Sequence, residues 1–118
     1  MGDIKPHNPE LLTDSDVNYA AFHCCGDEDL IFIKCPECRH IMVFCYECDT
    51  LYPNLSDPTV RQSVPLTRST DRITCPTCGV RFADYNFLVD KYLVTAAEVI
   101  AAGYSDLLSD EIRKRTGA

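Results

Sequence analysis

The sequence has no apolar run of 18 residues or more, so no membrane-spanning helix is expected. Its first residues, Met1-Gly2-Asp3-Ile4-Lys5-Pro6, lack the basic start and apolar run of a secretory signal. Gly2 would suit myristoylation, but Pro6 stands where that motif takes Ser or Thr. Positive charge is also scarce: 11 basic against 18 acidic residues leave a net charge of −7. A basic face that neutralises phosphates is therefore not the expectation. At 46% apolar and 25% charged residues the composition is that of an ordinary globular domain, which excludes collagen-like, coiled-coil and wholly disordered classes. These absences point to one cytoplasmic domain spanning residues 1–118.

What the sequence has in excess is cysteine, 8 in 118 residues. In a reducing cytoplasm such a density suits metal ligation better than disulfides. Six of the eight form C-x-x-C pairs: Cys35/Cys38, Cys45/Cys48 and Cys75/Cys78. Two residues between thiolates let a tight turn aim both sulfurs at one ion. Two tetrahedral four-cysteine sites would use all eight thiols.

The local patterns place these pairs. Residues 1–22 read as a loose lead-in, with a short helix or strand around Val17–Phe22. Leu30-Ile31-Phe32-Ile33 and Ile41-Met42-Val43-Phe44 are short β-forming runs either side of Cys35-Pro36-Glu37-Cys38, hence a hairpin. Arg72-Ile73-Thr74 and Val80-Arg81-Phe82 frame Cys75-Pro76-Thr77-Cys78-Gly79 as a second. Residues 49–72, with Pro53, Pro58 and Pro65, read as a long loop within a cysteine-rich core of residues 23–83. Residues 84–118 read as helical. Thr95-Ala96-Ala97-Glu98 is a capping box, Gly103 fits a helix end, and Ser109 caps a last helix with acids first and bases last. The fold class expected is α+β: small β-hairpins, a second cysteine-rich site and a C-terminal group of short helices.

Hairpin geometry partitions the ligands. With the first hairpin centred between Pro36 and Glu37, Cys25 faces Cys48 and Glu28 faces Cys45. Cys38 and Cys45 are seven positions apart, roughly 20 Å along a strand. The tip pair therefore needs a different partner. Site 1 is assigned to Cys35, Cys38, Cys75 and Cys78. Site 2 takes Cys45 and Cys48 with Cys24 and Cys25, or with His23 as the alternative ligand, since adjacent cysteines on a regular strand point to opposite faces.

With its two C-P-x-C knuckles, the chain resembles the zinc-ribbon family, zinc fingers that carry each knuckle on a hairpin tip. Cys75-Pro76-Thr77-Cys78-Gly79 matches the motif in full, and Cys35-Pro36-Glu37-Cys38 matches with Arg39 in place of glycine. The resemblance covers roughly residues 30–83, with an insert holding Cys45 and Cys48. It implies Zn²⁺, here two ions; iron, as in rubredoxin-like sites, is the other metal such knuckles take.

No catalytic residues are assigned. All-cysteine sites leave no position for a reactive water, H-E-x-x-H is missing, and Lys34 and Thr74 stand where a zinc deaminase has proline before its C-x-x-C. His7, His23 and His40 are not placed together by any pattern. The expected function is non-enzymatic: an adaptor or accessory subunit acting through protein–protein contacts, without a membrane. The alternatives are nucleic-acid binding through Lys34, Arg39, His40, Arg61, Arg68, Arg72 and Arg81, and electron transfer at iron. Leu51, Tyr52 and Leu55, on the proline-rich loop, are candidates for an exposed docking surface. The aromatic residues otherwise, and Leu88, Val89, Leu93, Val99, Ile100, Leu107, Leu108 and Ile112, are expected in the core.

Overall fold

The computed structural model of the chain describes residues 11–12, 16–22, 30–47, 49–64, 73–82 and 92–117. His7, His23, Cys24, Cys25, Cys48, Arg68, Arg72, Leu88 and Val89 lie outside the described residues. The fold is α+β, as the sequence predicts. Strands β1 (Leu30–Lys34), β2 (Ile41–Cys45), β3 (Thr50–Tyr52) and β4 (Gln62–Ser63) form one antiparallel sheet in chain order. Strands β5 (Ile73–Thr74) and β6 (Arg81–Phe82) form a separate hairpin. Two short helices follow, α1 (Ala96–Ala101) and α2 (Asp110–Thr116).

β1 and β2 are apolar at nearly every position because both faces of the sheet are covered. Alternation sends Leu30, Phe32, Ile41, Val43, Cys45 and Tyr52 to one face, here face A. There they pack against Leu12, Val17, Phe22, Val94, Val99, Leu108 and Ile112. Ile31, Ile33, Met42, Phe44 and Leu51 point to face B, where Ile73 and Phe82 of the second hairpin cover them.

The register corrects the sequence-based one. Leu30, not Glu28, lies opposite Cys45, and Lys34 lies opposite Ile41. The reason is the asymmetry of the turn: Cys35 donates its N–H to His40 O (3.0 Å), so the hairpin is centred between Glu37 and Cys38. A two-residue displacement preserves the alternation, so each residue keeps the face it would have had in the predicted register.

Two other expectations change. The predicted loop 49–72 contains β3 and β4, and Leu51, Tyr52 and Leu55 are buried instead of forming a docking surface. Leu51 and Tyr52 lie opposite Phe44 and Val43 of β2, and three residues are too few for their period-2 pattern to be read. The lead-in is not loose where it is described. Leu12, Val17 and Phe22 are buried, held by Leu12 N–H to Val94 O (2.8 Å), Asn18 N–H to Leu107 O (2.8 Å) and Ser109 N–H to Asp16 O (2.9 Å). Residues Tyr19–Ala21 form a single 3-10 turn, its N–H at Ala20 capped by the Asn18 side chain.

The C-terminal signals appear as predicted. Thr95 Oγ1 accepts from Glu98 N–H (3.2 Å), and Glu98 Oε1 accepts from Thr95 N–H (2.9 Å). Gly103 takes φ +89°, with its N–H on Ile100 O and the Tyr104 N–H on Val99 O, a paired closure that only a left-handed residue permits. Ser109 caps α2, Gly117 ends it, and Arg113 pairs with Asp110 on its surface.

Glu98 does two jobs. Its second oxygen takes a 2.9 Å ion pair from Lys34, joining α1 to the end of β1. Burial pushes this carboxyl up, but the Lys34 hydrogen bond, the Thr95 N–H and the Lys34 charge together hold it below its ordinary value. A depressed acid stabilises the fold at neutral pH, and that contribution is lost as pH falls through the folded-state value. Glu98→Gln should therefore cost about 1 kcal/mol near pH 7. The cost should vanish in acid, so urea midpoints of the two proteins, distinct at pH 7, should converge as the buffer is acidified.

Candidate metal centre

The two C-P-x-C turns share one backbone design. In each, proline supplies the fixed φ that opens a tight turn and removes the first N–H. The next amides turn inward onto the first sulfur: Glu37 N–H and Cys38 N–H reach Cys35 Sγ (3.4 and 3.5 Å), and Thr77 N–H reaches Cys75 Sγ (3.4 Å). Each turn is then closed twice by its first cysteine. Cys35 bonds His40 O and receives Arg39 N–H (both 3.0 Å), while Cys75 bonds Val80 O and receives Gly79 N–H (both 2.9 Å).

The residue after the second cysteine takes a left-handed conformation in both, φ +82° at Gly79 and +66° at Arg39. Glycine is free to do this, and arginine is strained by its Cβ. Arg39 is exposed, so Arg39→Gly should raise stability by about 0.5–1 kcal/mol, seen as a higher melting temperature at fixed metal concentration. Gly79→Ala, whose Cβ would meet nothing within 4 Å, should lower it through conformation alone.

Packing of the second hairpin on face B brings the two turns tip to tip. The four sulfurs of Cys35, Cys38, Cys75 and Cys78 all lie within 4.8 Å of one another. Cys35 Sγ is 3.5 Å from Cys78 Sγ, and Cys38 Sγ is 3.4 Å from Cys75 Sγ. Thiolates about 2.3 Å from a tetrahedral ion sit roughly 3.8 Å apart, a spacing close to that of the cluster. Cys35 and Cys75 are buried at 0% and 1% exposure, whereas Cys38 and Cys78 face solvent. The interior pair is anchored among Ile33, Ile73 and Phe82, and Phe82 also meets the Tyr92 ring at 5.3 Å.

The charge state follows from this crowding. Burial raises the Cys75 thiol, but the Cys78 and Thr77 N–H groups and the Cys38 and Cys35 sulfurs outweigh it and bring it down to about 6. The His40 N–H favours the Cys38 thiolate, yet partial desolvation and the three neighbouring sulfurs push it up to about 12. Cys78 is raised as well, the Val80 N–H being outweighed by partial desolvation and by the sulfurs of Cys35 and Cys75. Sulfurs this close share negative charge unequally: the Cys75 thiolate forms readily, while Cys38 and Cys78 hold their protons more tightly. A bound divalent ion takes the place of those protons and ties the two hairpins together.

The other sequence candidates are dispersed. Cys45 is buried on face A, across the sheet from the cluster. His40 is not a ligand: its Nε2–H donates to Pro53 O at 2.6 Å, fastening the first turn to the segment after β3. Within the basic group, Lys34 is engaged by Glu98, and Arg39, Arg61 and Arg81 are exposed. The Lys34–Glu98 and His40–Pro53 contacts were not foreseeable locally, because a single side chain finding a distant partner leaves no spacing signature. Among the described residues, no helix is long and apolar enough to cross a membrane. The cluster is a soft, four-thiol site that could hold a metal ion with four protein ligands. No protein-family model, curated protein or solved structure matches this chain.

Proposed function

We propose that this is a zinc-binding protein of the ribbon type, cytoplasmic and without catalytic activity, that works as an adaptor or accessory subunit through contacts with another protein. The observation that carries this reading is the four-sulfur cluster, two of its cysteines buried and four ligand atoms supplied by the chain itself. Such a site stabilises a shape instead of performing a reaction. The net charge of −7 supports a protein partner over a polyanion, more so because four thiolates around one divalent ion would add further negative charge. Zinc is favoured over iron by its prevalence in four-cysteine sites of this kind.

The test combines metal analysis with isolation of the native assembly. Colourless protein with zinc bound, recovered in a stoichiometric complex that survives nuclease treatment, is the expected result. Red protein containing iron would replace this reading with electron transfer. A complex dispersed by nuclease, with affinity falling steeply as salt is raised, would replace it with nucleic-acid binding through the exposed Arg39, Arg61 and Arg81.

A further inference from the structure

The four sulfurs of the cluster meet in a crossed pattern. Cys35 Sγ lies 3.5 Å from Cys78 Sγ and Cys38 Sγ lies 3.4 Å from Cys75 Sγ, so each contact runs from one hairpin to the other. Each contact also joins a buried thiol to an exposed one, Cys35 to Cys78 and Cys75 to Cys38. A disulfide holds its sulfurs about 2 Å apart, and both pairs are within roughly 1.5 Å of that length. The partners stand 43 and 37 positions apart in the chain. Bonds between them would tie the same two hairpins that a shared ion ties. Strands β5 and β6, with two residues each, are too short to hold their place without such a tie.

We propose that the cluster is a peroxide-responsive switch, in which zinc and two cross-hairpin disulfides, Cys35–Cys78 and Cys38–Cys75, are alternative ties between the hairpins. This switch rests on the zinc site proposed above and adds regulation to it. Hydrogen peroxide is the oxidant. The exposed Cys38 or Cys78 thiolate attacks one peroxide oxygen: an S–O bond forms, the O–O bond breaks, and the leaving hydroxide takes a proton to become water. The buried thiolate across the contact then attacks that sulfenic sulfur. The S–S bond forms, the S–O bond breaks, and the departing hydroxide takes a proton to become a second water. Repeated at the other pair, four thiolates give four electrons to two peroxides, four protons are taken up and four waters leave. Zinc departs from sulfurs that no longer carry charge. Disulfides across such long stretches constrain the unfolded chain far more than bonds inside a C-x-x-C turn, so the oxidised chain keeps its second hairpin in place without metal.

The test uses the full wild-type chain, reduced and loaded with zinc, so no variant has to fold. Alkylation is read before oxidant is added. If Cys35, Cys38, Cys75 and Cys78 are alkylated with zinc present, the zinc site itself is refuted and the switch falls with it. Otherwise, hydrogen peroxide should release zinc to a chromophoric chelator, and dithiothreitol with fresh zinc should restore the starting state. Trypsin cleaves after Lys34, Arg39, Arg72 and Arg81, giving peptides 35–39 and 73–81. From the oxidised chain these two should be recovered as one species joined by two disulfides, with fragmentation assigning Cys35 to Cys78 and Cys38 to Cys75. Peptides that separate with internal disulfides, or that link elsewhere, overturn the switch, as does zinc retained by these four cysteines in peroxide. Amide signals of residues 73–82 should stay dispersed in the oxidised chain and collapse in the reduced chain stripped by chelator. Their collapse in the oxidised chain also overturns it.

Discussion

Cys75→Ser should release the metal from the cluster and detach β5–β6 from the sheet. Each of those strands has two residues, and a two-stranded hairpin that short has no stability of its own. What would fix it is packing on face B together with an ion shared by the four thiols. Serine keeps the shape of Cys75, but its hydroxyl neither ionises near neutral pH nor offers a soft donor. Structural zinc contributes on the order of 10 kcal/mol in small zinc domains, comparable to the entire stability of a domain this size. The expected outcome is loss of one metal by native mass spectrometry and collapse of amide dispersion for residues 73–82. Thr77→Ala, at an exposed position of the same turn, should change stability by less than about 0.5 kcal/mol. A Cys75→Ser protein with native dispersion and its full complement of metal would refute the structural role of the cluster.

Phe32→Ala should destabilise by about 3–5 kcal/mol while leaving the first cluster able to bind metal. Phe32 is fully buried on face A, opposite Val43, in the layer where the Phe22 ring meets Tyr52 edge-on at 4.9 Å. Removing it opens a cavity between the sheet and the C-terminal segment, and a melting temperature lower by roughly 4–8 °C per kcal/mol is expected. The cluster lies beyond the other face, so cobalt bound at Cys35, Cys38, Cys75 and Cys78 should keep its wild-type spectrum. Equal loss of stability and of metal affinity would mean that the two faces act as one unit.

The sequence exposed some parts of this molecule far better than others, for physical reasons. The knuckles were legible because their geometry is local: cysteine, proline and a left-handed residue within five positions determine the turn. The convergence of Cys35, Cys38, Cys75 and Cys78 followed from the reach of an extended strand. Helix ends at Thr95, Gly103 and Ser109 were equally local. The hairpin register was not, because it depends on how many residues the knuckle absorbs before pairing resumes, and Arg39 in a left-handed conformation is not what its side chain suggests. Burial of Leu51, Tyr52 and Leu55 was also hidden. Proline-rich context signals a loop, but three-residue β3 is held by its neighbour β2 and not by propensity of its own. Lys34–Glu98 spans 64 positions and was invisible for the same reason.

The backbone ties between residues 12–18 and 94–109 bear on how the chain matures during synthesis. Both knuckles of the first cluster, and the four-stranded sheet beneath them, are complete once residue 82 has left the ribosome. Face A is not: its covering residues Val94, Val99, Leu108 and Ile112 are among the last to emerge. Nascent chains fold from the N-terminal end as they lengthen. An intermediate able to bind metal, with face A covered at most by Leu12, Val17 and Phe22, would therefore precede the finished protein, and a stop codon or stall near residue 90 would leave a chain whose apolar sheet is only partly covered.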